Sequence, residues 1–500
     1  MRKMSQFRKA FGIPFLIALI GAALFFVWDT PAASRAAEQQ RPVARVAVTG
    51  MSRGYQITPH ELRVIAGKAH QGIEPYKSGV EAVLEYASQP WNFDLDPIEI
   101  CRDSNDPAWI DEQGGIEALY AKALAYHLTG SESYAAEVAS ILAKIISEVH
   151  IISLDHAQCQ LNFAWGTPEL VAAADLIEEY WIDHTCTGPT STVYGNSRLG
   201  VGNCKELFQN WLVKNPYYII SFAAEGAMSN WGAAATNALA HIADYLLDRN
   251  DVTLVHRYPP GLNGGIEDRF TPLEAYHHAN DLALNRMNGY GVELISTRSC
   301  DYLDGPQQSD EWEPVKSQIT ENGIIPEDAR REEYCNVPVY NGEYQNYPQI
   351  HLNNLIQQCE LMLRRGDTSC FDNVNNTDVP EFAFRGPDGK MRMTHLRPGR
   401  GSIERAINAI IVDSGTEWRH DEALAVAYRY YINNHRLGLV SEWAEHLDRR
   451  VTCSQGVCFG MLTHRFAEGE TPELPPVTFL AETVRDTLMA RLMPERSLRS

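Results

Sequence analysis

Ser229-Asn230-Trp231-Gly232 opens a long helical run, residues 233–249, and the rest of the chain is read outward from it. A short loop that carries Asn and Trp at the mouth of a helix suits a sugar. Asn offers donors and an acceptor to a hydroxyl or a carboxylate. Trp offers a flat apolar face to a pyranose ring. The same residues also read as a helix N-cap and a core aromatic. The company this stretch keeps decides between the two.

Just upstream lie Phe208-Gln209-Asn210-Trp211 and Asn215-Pro216-Tyr217-Tyr218. Farther back, Gln160-Leu161-Asn162-Phe163-Ala164-Trp165-Gly166 leads into Thr167-Pro168-Glu169, which reads as a helix start with Pro at its first position. Asn162, Trp165, Asn210, Trp211, Asn230 and Trp231 are thus expected at or near helix starts. The periodicity predicts helices over 58–69, 78–88, 115–128, 133–149, 168–181, 205–213, 217–225, 233–249, 273–286, 351–366, 402–413 and 417–433. Their connections are often short, and strand signals are scarce. Repeated helical hairpins of this kind predict an all-α chain, an (α/α) toroid or incomplete barrel with long loops. Toroids place their sites where helix ends converge, so the recurrence of Asn and Trp there is informative.

At the N-terminus, Arg2, Lys3, Arg8 and Lys9 precede an uncharged run over 10–28 and the small residues Ala32-Ala33-Ser34-Arg35-Ala36-Ala37. That order is a secretory signal or an N-terminal anchor over 1–36. Residues 37–500 are read as one domain with a Pro-rich, weakly patterned tail beyond about Glu470. The mature chain is then expected outside the cytoplasm, secreted or periplasmic, with no membrane contact beyond that segment. Ten Cys in such a compartment suggest disulfides. Cys453 and Cys458 can close a small loop, and Cys186 and Cys204 flank a Gly/Ser/Thr-rich one. No Cys or Cys/His spacing reads as zinc, and neither a metal nor a cofactor is expected. The net charge of −21 argues against nucleic acid as a partner.

Three blocks together resemble the alginate lyase superfamily of polysaccharide lyases with an (α/α) toroid. They are Gln160–Gly166 with Pro168-Glu169-Leu170, then Ser229-Asn230-Trp231, then Asn322-Gly323-Ile324-Ile325-Pro326-Glu327 with Arg330-Arg331 and the helix at Leu352-Asn353-Asn354-Leu355. Their order and spacing agree over most of residues 55–440. The resemblance implies cleavage of an anionic, uronate-containing polysaccharide. It puts Asn230 and Arg331, with Arg330 as the alternative, on the uronate carboxylate. It makes Tyr347, in the loop before the last-named helix, the base and acid, with Tyr344, Tyr340 and Tyr334 as further candidates. Asn162, Trp165, Trp211, Trp231, Arg330 and Tyr344 are the expected substrate contacts. This chain has Trp231 where the better-known members have His.

The chemistry accounts for these residue types. A lyase removes the C5 proton of a uronate and expels the oxygen at C4. Charge building on the carboxylate needs positioned Asn and Arg donors. A Tyr of ordinary pKa ~10 needs a neighbouring cation to favour its phenolate. The phenol, once deprotonated and recharged by C5, can protonate the leaving oxygen. One group serves both ends only when proton and leaving group share a face, as in β-1,4-linked mannuronate or glucuronate. Guluronate would want a second group such as His. The sequence, lacking the Asn-His pair, therefore points to mannuronate or glucuronate polymers. The rival readings are a toroid glycoside hydrolase using two carboxylates, with Glu169, Asp175 and Glu293 as candidates, and a non-catalytic glycan-binding protein. His277 and His278 read as structural; His241 and His351 have no assigned place.

Overall fold

The computed structural model describes residues 52–91, 99–100, 115–151, 157–188, 200–227, 229–259, 267–288, 323, 325, 328, 346–374, 382–385, 391–394, 401–413, 418–434, 441–447, 452–453, 456–471 and 473–477. Arg330, Arg331, Tyr334, Tyr340, Tyr344, Glu293 and the leader expected over 1–36 lie outside them.

The described chain is mainly helical. It runs through α1 Pro59–His70, α2 Tyr76–Ala87, α3 Ile116–Thr129, α4 Glu132–Glu148, α5 Ala157–Leu176, α6 Glu178–Trp181, α7 Cys204–Leu212, α8 Tyr218–Gly226, α9 Asn230–Tyr245, α10 Pro272–Asn288, α11 Asn346–Arg364, α12 Ile403–Asn408, α13 Asp421–Asn433 and α14 Gly460–Thr463. Among the described residues strands occur only as two-stranded pairs, one of them the antiparallel hairpin β1 Leu254–Arg257 with β2 Glu267–Phe270.

The helices close a ring. α2 packs on α3, α3 on α5, α5 on α9, α9 on α11, α11 on α13, α13 on α14, and α14 returns to α2. α4, α8, α10 and α12 pack onto ring members. α9 is the hub, touching α5, α8, α10 and α11. Its sequence explains this: Ala233, Ala234, Ala235, Ala238, Ala240 and Ala243 are all buried, and only Trp231 of the helix is not. A helix without a solvent face is enclosed by neighbours, and its Ala side chains let them come close.

Three layers of polar contacts tie α5, α9 and α11 together and fix their direction. At one end the helix C-termini meet residues 52–54. Asp175 accepts from Ser52 Oγ at 2.6 Å and from the Arg53 and Gly54 amides at 2.7 and 3.0 Å. Asp244 holds Arg365 at 2.8 and 2.7 Å, and Arg365 also donates to the Gly54 carbonyl. In the middle, Asn237 donates to Gln357 and Gln357 to Glu169, both at 2.6 Å. At the other end Asp328 joins the first residues of α9 to α11, as described below. The three helices therefore run parallel. Buried polar groups need such partners, because an unpaired one forfeits its solvation.

Several boundaries differ from the sequence reading. α5 starts at Ala157 and carries Pro168 inside it, so Pro168 does not begin a helix. Asn210 and Trp211 close α7, whereas the sequence put them near a helix start; a π-helical turn over Val213–Tyr217 then leads directly into α8. α11 begins at Asn346, so Tyr347 sits in its first turn and not in a preceding loop. The start of α1 was legible: Thr58 and Glu61 form the reciprocal capping box. Disulfides join Cys186 to Cys204 and Cys453 to Cys458 as expected, and also Cys359 to Cys370. No described helix is long and apolar enough to cross a membrane.

Candidate functional site

α9 is not capped by Ser229, whose side chain makes no cap hydrogen bond. The cap comes from 98 residues away: the Asn230 amide donates to Asp328 Oδ1 at 3.0 Å. The other oxygen, Asp328 Oδ2, lies 2.8 Å from His351 Nδ1 on α11. Asp328, Asn230 and His351 are all buried. Gly323 helps set this segment: its φ is +81°, and a Cβ there would collide with the Arg405 carbonyl on α12. That is a position for Gly alone, and it accounts for the glycine of the third block. Ile325, two residues on, is fully buried.

Tyr347 is half-buried. It precedes His351 by four residues on α11, so the two side chains share a helix face. The Glu169–Gln357–Asn237 layer serves as a ruler along the parallel helices. Asn162 and Asn230 each lie seven residues toward the N-terminal end from it, and His351 six. At 1.5 Å per residue all three stand at a common level, roughly 10 Å above the layer. Asn162 and Trp165, three apart on α5, share a face of that helix. Both are buried, and the Trp165 indole N–H has no acceptor among the described residues. Trp231 is only partly buried and packs against the core edge.

Trp211 is elsewhere. It is fully enclosed, stacked on Phe208, and its indole donates to the Val149 carbonyl at 3.0 Å. It is a core residue and no sugar platform. Two of the three carboxylates considered for a hydrolase, Glu169 and Asp175, are also in the interior. Glu169 belongs to the middle layer, and Asp175 is committed to residues 52–54. Burial raises the Glu169 carboxyl to about 8 against the hydrogen bond from Gln357. His241 is buried, stacks on Tyr55 and bonds the Asn237 carbonyl through Nδ1. Burial lowers its pKa to about 4, so it is neutral at physiological pH.

The arrangement can do acid–base chemistry. A carboxylate that receives the Nδ1–H of a histidine fixes its tautomer and leaves Nε2 to accept or give a proton. Asp328 is the residue that sequence reasoning missed, although it lies within the third block. Its role depends on two helix starts that the sequence does not show to be adjacent.

Helices closed into a ring, with Asn230, Asp328, His351 and Tyr347 gathered toward the starts of α9 and α11, define the molecule as an all-α protein with a largely buried polar cluster at one end of those helices. No family model matches the chain. No curated protein matches it either. Among solved structures it is similar to an alginate lyase from Bacteroides ovatus, at 13% identity and a TM-score of 0.42, covering 83% of this chain and 99% of that one.

Proposed function

We propose that this chain is a polysaccharide lyase that cleaves a uronate-containing polymer by β-elimination at the end where α9 and α11 begin. The observation that carries the reading is the Asn230–Asp328–His351 link with Tyr347 one turn from His351. In this reading Asn230 and Arg331, or Arg330, take the carboxylate, and Tyr347 removes the C5 proton and protonates the leaving oxygen. Asn162, Trp165 and Trp231 hold the sugars, and Tyr344 is a further expected contact. The N-terminal ends of two parallel helices add positive potential for an anionic chain. The leader that the sequence predicts over 1–36 and the disulfides support action outside the cytoplasm.

His351 favours a second reading of the substrate. The sequence pointed to mannuronate or glucuronate because no His followed Asn230. His351, oriented by Asp328, supplies a second group from another helix, which is what guluronate needs. A screen of polymannuronate, polyguluronate and glucuronan for ultraviolet absorbance of the unsaturated product tests the function; no product from any of them would end it. His351→Asn is expected to cut turnover by about 10²-fold where His351 is the base, on the scale of one lost general base. It should cut far less on a polymer where Tyr347 does both steps.

A further inference from the structure

The geometry points to a divalent transition-metal site built by Glu225, His256 and His278, with zinc as the ion it suits best. Glu225 lies in the last turn of α8, His256 on β1 and His278 on α10. The two imidazole Nε2 atoms converge on one carboxylate oxygen, Glu225 Oε1, at 2.9 and 2.5 Å. All three ligand atoms lie within 4.8 Å of one another. An ion drawn into that triangle would be held by two imidazole nitrogens and a carboxylate oxygen. That set suits zinc; calcium and magnesium prefer all-oxygen shells.

The surroundings are built as metal sites are. A ligating His needs a partner on its other nitrogen to fix its ring, and the Tyr217 hydroxyl lies 3.1 Å from His256 Nδ1. The Phe270 ring packs on both imidazoles, at 5.2 Å from His256 and 5.0 Å from His278. Glu225 and His256 are buried, whereas the His278 side chain keeps 27% of its exposure. Solvent therefore reaches the site along His278, where a water can complete a four-coordinate shell. Without an ion, each histidine can donate Nε2–H to Glu225; to take the ion, each neutral imidazole carries its proton on Nδ1 instead, where that of His256 faces the Tyr217 hydroxyl, and offers the Nε2 lone pair.

Such an ion would clamp the last turn of α8 to the hairpin and to α10. Glu225 stands five residues before Asn230, so the clamp would brace the turn that leads into the hub helix. No sequence signal announces the site, since the ligands are spread over residues 225–278 without a recognisable spacing.

The test uses the full chain, stripped with a chelator and then titrated with Zn²⁺ or Co²⁺ alone. The expected result is one tightly bound Zn²⁺ per chain, a rise in thermal midpoint on loading, and visible ligand-field absorption from the Co²⁺ form. His278→Ala, chosen because His278 is the least buried ligand, should weaken Zn²⁺ binding by more than 10-fold. Tyr217→Phe, which keeps all three ligands, should weaken it by about 10-fold, the lower end of the range for outer partners. Wild-type protein that takes up no stoichiometric Zn²⁺ and shows no Co²⁺ absorption would overturn the site. So would His278→Ala, folded by circular dichroism, that binds Zn²⁺ as tightly as the wild type.

Discussion

Asp328 serves two helices at once, and both of its oxygens are committed. Its contact to α9 is to the Asn230 backbone amide, so the Asn230 side chain is not part of the cap. This separates two roles that the sequence left entangled. Asn230→Ala keeps the amide and hence the cap, and the fold should survive. Turnover should fall by about 10²-fold or more, as when one charge-stabilising donor is lost. Thermal denaturation beside product release checks both halves. A variant that unfolds, or one that keeps full activity, would make Asn230 a structural residue only. The sequence pointed to Asn230 and Tyr347 through residue type and company. It could not place His351 or Asp328, because their meeting depends on how α9 and α11 align. Trp211 misled for the opposite reason: an Asn-Trp pair looks the same at the end of a helix as at its start.

At the scale of helices, most elements were legible from their period, and boundaries failed where a local rule was overridden. Pro168 carries a start signal, yet α5 continues through it, because the surrounding helix is buried on all sides by the ring. Tertiary packing outweighs the cost of one missing amide there. The polar layer between α5, α9 and α11 was invisible in sequence, since Glu169, Asn237 and Gln357 are far apart along the chain. Its acidity is testable. The folded protein raises Glu169 from its ordinary range to about 8, through burial, against the opposing bond from Gln357. The folded chain thus holds a proton the unfolded chain has released. The group's contribution is fully present below about pH 4.5 and is lost as pH rises through about 8. Glu169→Gln keeps the shape and cannot ionise. It should be close to neutral for stability at pH 5 and stabilising at pH 8, by on the order of a few kcal/mol. Thermal midpoints at the two pH values decide it; equal effects at both would place an ionised Glu169 in the ring.

The ring as a whole is held at its far end by charge pairs that no water reaches. Arg365 is 1% exposed and Asp244 fully buried, and each satisfies the other. Removing one partner strands the other, so Arg365→Ala should cost about 3 kcal/mol or more and be seen in denaturant unfolding. A loss near zero would mean that the helix C-termini are not held by this pair. With that end locked and α9 packed against four helices, the opposite end is left to present side chains at fixed heights. This is what a lyase needs, since base, leaving oxygen and carboxylate donors must stand around one sugar. The most direct measurement is unsaturated-product release by Tyr347→Phe on a uronate polymer that the wild type cleaves, with polymer binding followed in parallel. The change removes one hydroxyl from a half-buried ring in the first turn of α11 and leaves the ring's packing in place. The account predicts that elimination is nearly abolished while binding changes little. Tyr347→Phe releasing product at the wild-type rate would contradict it.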